Sequence, residues 1–77
     1  MNKQRRKDLE GIIENLEEQK SKLEDLQQEE QDAFENLPES LQDSERGQAM
    51  QECAEDLETE MYGLEDIVQN LQEILER

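Results

Sequence analysis

A chain of 77 residues, of which 31% are apolar, 3% aromatic and 40% charged, holds at most one small domain and buries little core. Its formal net charge of −15, from 23 acidic and 8 basic residues, opposes direct binding to nucleic acid or to an anionic membrane surface. It has no histidine and a single cysteine, Cys53, so the commonest general base and transition-metal ligand are missing and no internal disulfide is available.

The chain opens on a basic cluster, Lys3, Arg5, Arg6 and Lys7. No continuous apolar stretch follows it, so neither a signal peptide nor a membrane span is expected, and the expected location is cytoplasmic. Beyond Lys7 the balance is 23 acidic residues against 4 basic, a net −19. Positive charge at a helix N-terminus opposes the macrodipole. Pairing of Lys7 with Glu73 and Glu76 at the far end of the chain is therefore expected, and each such exposed pair is weak, below about 1 kcal/mol.

Leu9, Ile12, Leu16, Leu23, Leu26, Ala33 and Leu37 then recur at steps of three and four, the pattern of a helix with one apolar seam. With Leu9 at heptad position a, the a row is Leu9, Leu16, Leu23, Glu30 and Leu37. The d row is Ile12, Gln19, Leu26 and Ala33. This predicts a first helix over about 2–36. Pro38 lacks an amide proton and disfavours helix at Leu37, so the helix ends there and a loop over about 37–44 follows. Pro38 is also suited to start one short turn. Ser44 or Asp43 is placed to cap a second helix over about 45–76, with Glu45 in its positive first turn.

In the second helix Met50, Leu57, Leu64 and Leu71 occupy a, and Cys53, Glu60, Ile67 and Ile74 occupy d. A loop this short makes the two helices antiparallel neighbours. Setting Leu26 level with Leu57 also pairs Leu9 with Ile74, Ile12 with Leu71, Leu16 with Ile67 and Ala33 with Met50. Each is an apolar a–d layer, and the midpoint falls between Leu41 and Gln42 inside the loop. The expected fold is all-α, an antiparallel two-helix hairpin resembling a coiled coil. Glu30 and Glu60 are expected to lean out to water, because a buried bare carboxylate is costly. Cys53 at d is expected to be a small buried hydrophobe rather than a reactive thiol.

Position e adds Ala54, Met61, Val68 and Leu75 on the second helix, and Ile13 and Phe34 on the first. Three apolar positions per heptad is the width of a bundle helix rather than of a two-stranded coil. These six residues are the expected association face, closed by a homodimer that forms a four-helix bundle, the commonest symmetry for a soluble assembly. Wrapping of the same side chains around the seam is the simpler reading. Leu37, Leu41, Arg46 and the outward Tyr62 are candidate contacts for a further, unidentified protein partner.

Chemistry elsewhere is not indicated. Carboxylates fall mainly on outer helix positions, where a solvated face explains them better than a catalytic pair does. Asp56, Glu58 and Glu60 alternate like calcium ligands, but Gly63 is misplaced for a calcium loop. Glu-x-x-His pairs for a di-iron site are absent. No catalytic residue, cofactor site or metal site is expected, and the chain reads as non-enzymatic. An alternative use of the acidic face is mimicry of DNA, with rows of carboxylates occupying the cleft of a nucleic-acid-binding host or defence protein.

The loop segment Asn36-Leu-Pro-Glu-Ser-Leu-Gln-Asp-Ser-Glu-Arg-Gly47 with Met50, after the basic start Met-Asn-Lys-Gln-Arg-Arg-Lys, resembles that of short acidic uncharacterised helical proteins of phages and mobile elements of low-GC Gram-positive bacteria. The likeness extends over nearly the whole chain, though only the loop is distinctive. It implies an intracellular accessory protein acting on host or defence machinery, and it carries over no activity and no catalytic residue.

Overall fold

The computed structural model describes all 77 residues and is 88% helix with no strand. Helix α1 runs Lys3–Glu35, a single turn α2 runs Glu39–Gln42, and helix α3 runs Glu45–Leu75. The two long helices pack against each other along a rod of 59 × 15 × 13 Å. The accessible surface is 5960 Å², against about 4,900 Å² for a compact monomer of this mass. The hairpin therefore leaves about 1,000 Å² more in water than a globule would.

Local chemistry sets the boundaries close to those expected. The Asn2 side chain accepts from the Arg5 amide at 2.8 Å and caps α1. Pro38 stands just before α2, its carbonyl accepting from the Leu41 and Gln42 amides. Ser44, not Asp43, caps α3, accepting from the Gly47 amide at 3.1 Å. The Gln42 side chain turns back to donate to the Leu37 carbonyl at 3.1 Å and to that of Glu35 at 3.5 Å, the latter one of the acceptors left free at the end of α1.

Gly47 decides how α3 is turned. It is buried beneath the loop, and a Cβ built on it would overlap the carbonyl oxygens of Leu41 and Gln42. The face that carries Gly47 must therefore point inward. Gly47, Ala54, Met61, Val68 and Leu75 are seven residues apart, so they share that face: Ala54 is 0% exposed, Val68 6% and Met61 9%, while Leu75 is half-buried. On α1 the matching row is Ile13, at 6%, with Gln27 buried and Lys20 and Phe34 half-buried.

The seam is thus built from a and e, with the a leucines half-buried, and not from a and d. At 100° per residue, each helix is rotated by about 50° from the expected seam. The d row lies outside: Ile12 is 53% exposed, Leu26 53% and Ile67 52%, and Cys53 and Glu60 are exposed too. This corrects the expectations of a buried Leu26, Ile12, Ile67 and Cys53. Glu60 supplies part of the physical reason, because an a–d seam would have enclosed its carboxylate. The a–e seam encloses Gln27 instead, whose side-chain amide donates to the Ala54 carbonyl at 3.5 Å.

The axial match of the helices is close to expectation. Arg6 donates to the Leu75 carbonyl, Gln27 to that of Ala54, and Lys20 meets Glu65 at 3.9 Å, each within two residues of the expected level. Gln72 to Glu17, at 3.2 Å, reaches further along the axis. Arg6, rather than Lys7, ties the basic start to α3, and it does so by placing a cation at a helix C-terminus where the dipole favours it. The expected pairing of Lys7 with Glu73 and Glu76 does not form; the two ion pairs present are Lys20–Glu65 and Lys22–Glu18.

Gly11 and Gly63, by contrast, have nothing within 4 Å of an added Cβ. Gly11→Ala should stabilise the hairpin by about 1 kcal/mol through helix propensity. Gly47→Ala should destabilise it by about 1–3 kcal/mol through steric overlap with the turn. Thermal unfolding followed by circular dichroism checks both, and equal melting temperatures for the two variants would contradict the assignment of Gly47 as the seat of the loop.

Candidate interaction surface

Rotation of the seam redistributes the sides of the rod. One edge carries the b rows of both helices, where Gln72 bonds to Glu17 and Glu65 meets Lys20. The opposite edge carries the d rows. There Ile12, Leu26 and Ala33 of α1 run alongside Cys53, Ile67 and the half-buried Ile74 of α3. A shallow groove lies on this side of α3, floored by Ala49, Cys53 and Leu57 and rimmed by Glu52, Asp56 and Glu60.

Of the six residues expected to form an association face, Ile13, Ala54, Met61 and Val68 are interior to one hairpin, and Phe34 and Leu75 are half-buried beside them. The four buried residues form the core itself and offer no surface to a second molecule, while Phe34 and Leu75 stay partly open. The apolar arc of each helix, spanning d through a to e, is about 100° wide. One neighbouring helix covers only its e side. What remains open is the d edge, which the sequence reading had placed inside.

The candidate partner contacts fare differently. Leu41 is 48% exposed and Tyr62 56%, Arg46 is exposed, and Leu37 is half-buried under the turn. Tyr62 stands on α3 and the other three cluster around the loop, so the fold does not bring the four into one patch. Gly47 is the residue that sequence reasoning missed. The signal was its place exactly one heptad before Ala54, which extends the row Ala54, Met61, Val68 and Leu75 back to the turn.

Charge is also segregated. Sixteen of the 23 carboxylates fall on rows b, c and f. Along the open edge, rows d and g carry four carboxylates (Asp8, Glu29, Asp56 and Glu60) and four cations (Arg5, Lys22, Arg46 and Arg77), a net charge of zero on a chain of −15. The apolar edge is thus also the electrically neutral one. No group of three or more potential ligands is gathered for a metal ion, and no helix is long and apolar enough to cross a membrane.

Comparison with protein-family models, curated proteins and solved structures found no match to the chain.

The exposure difference gives a direct test of which rows form the core. In dilute solution Met61→Ala should cost about 2–5 kcal/mol, as for a buried large side chain. Leu26→Ala, at a half-exposed site, should cost within about 0.5 kcal/mol of nothing. Urea denaturation at low protein concentration checks the pair, and the reverse order would restore the a–d seam.

Proposed function

We propose that the chain is a non-enzymatic interaction protein that acts by protein–protein contact and self-associates through its open d edge, two hairpins closing a four-helix bundle. The observation that carries this reading is the row of exposed isoleucines and leucine on the one neutral side of a strongly acidic rod. A monomer gains nothing from keeping Ile12, Leu26 and Ile67 in water, whereas each buried side chain of this size contributes roughly 1.5–3 kcal/mol. The extra exposed surface of about 1,000 Å² is comparable to the area of about 800 Å² that each partner buries in a standard interface. Electrical neutrality of the edge lets two copies of an acidic chain approach there without the repulsion their outer faces would generate. In the setting that the sequence resemblance implies, such a module serves as an accessory protein of a phage or mobile element.

Sedimentation equilibrium over a range of protein concentrations should give a species of twice 9.1 kDa. Ile67→Glu should weaken the dimer at least about a hundredfold, since two buried side chains are lost per dimer, while leaving the monomer helical by circular dichroism. A parent protein that stays monomeric at every concentration would overturn self-association.

A second reading is favoured by the segregation of sixteen carboxylates onto the outer rows. A rod 59 Å long bearing its charge on that side could occupy a cleft built for a DNA backbone. Its signature would be competition with duplex DNA for a basic DNA-binding protein, weakening steeply as salt is raised. Competition that is absent at low salt would dismiss it.

A further inference from the structure

Self-association through the d edge, on which this inference rests, leaves open how the two copies are oriented. We infer that a second copy docks antiparallel, so that the large side chains near the open end of one hairpin enter the small-residue groove near the loop of the other.

The two halves of the edge differ in size. Near the loop it is built from Ala33, Ala49 and Cys53, and this is where the groove over Leu57 lies. Near the open end it is built from Ile12, Ile67 and Ile74, with Ile12 and Ile67 more than half exposed. Between them lie Leu26 and a polar band of Gln19, Lys22 and Glu60. Counted along the hairpin from the turn, the small cluster is centred about 10 residues away, the polar band about 20 and the isoleucine cluster about 29. A twofold axis through the polar band therefore superposes isoleucines on the small-residue groove, in both copies at once. Large side chains then meet small ones, the arrangement that fills interhelical space without voids. Parallel docking would instead lay α1 of one copy over α3 of the other and set isoleucine against isoleucine.

Charge selects the same orientation. The open end, residues 1–8 with 70–77, carries five cations against three carboxylates, a net +2. The loop end, residues 29–56, carries ten carboxylates against Arg46 alone, a net −9. Antiparallel docking places each positive end beside a negative one. Parallel docking stacks the two −9 ends.

In this arrangement α3 runs beside α3 of the second copy, and Cys53 faces Asn70 across the interface. The two Cys53 residues are then separated by about 25 Å along the axis, from seventeen residues at 1.5 Å. Asn70 is exposed, so Asn70→Cys leaves the hairpin intact. Within one chain, residues 53 and 70 lie on one helix about 25 Å apart, too far for a disulfide. Any bond between them joins two chains.

The experiment is mild oxidation of the parent, of Asn70→Cys and of Asn70→Cys combined with Cys53→Ser, at a concentration where sedimentation shows the dimer. The antiparallel dimer gives a covalent dimer for Asn70→Cys alone. Spin labels on Cys53 of the parent should also report a separation of about 25 Å rather than one below about 15 Å. Cross-linking of the parent, or equal cross-linking with and without Cys53, overturns the orientation while leaving self-association standing. A dimer whose Asn70→Cys variant never cross-links, and whose labels lie close together, overturns it as well. A monomer at every concentration removes the self-association reading itself.

Discussion

The fold depends on the contact between the turn and Gly47. The chain reverses direction directly over this residue, and the space there admits no side chain. One row of α3 is thereby directed at α1, and the rotation of the whole helix follows. Ala54, Met61, Val68 and Leu75 go inside because they repeat at seven residues from that point. Burial of this row then leaves Cys53, Glu60 and Ile67 on an edge that water reaches. A local steric limit at one end of the rod thus decides which side chains are available along its full length.

The parts of the fold that were legible in the sequence are those governed by local rules. The length of each helix follows from the three-and-four spacing, the end of α1 from Pro38, and the cap of α3 from Ser44. The axial match followed from pairing apolar rows, which tolerates a shift of a residue or two. What periodicity could not resolve was rotation about the helix axis. An apolar arc running from d to e is wider than one neighbour can cover, and the a row is shared by both solutions. Sequence pattern alone gives the arc; the choice between its edges comes from packing at Gly47 and from the cost of enclosing Glu60. The residues named from the sequence as an association face are therefore a sound list of apolar residues, most of which the hairpin buries in its own core.

Lys20 and Gln27 are the compromise within that seam. Both stand in the inner row of α1, where four fully apolar residues would have packed more tightly. Lys20 keeps its ammonium near water and Glu65, and Gln27 turns its amide to a backbone carbonyl. Neither leaves a buried polar atom without a partner. Such positions weaken a helix pair, yet they resist rotation back toward the alternative seam, since that would change which polar group is enclosed.

The tie between Arg6 and the Leu75 carbonyl has a bearing on how the hairpin forms. Each level of the rod touches only the levels above and below it, so pairing behaves as a nearly one-dimensional process. Closing the loop is least costly next to the turn, where the fewest residues are ordered. Folding therefore propagates like a zipper from Gly47 outward, and the link from Arg6 to Leu75 is the last tooth to engage. By the same token it is the first to release, so fraying begins at the basic end while the turn still holds the two helices in line.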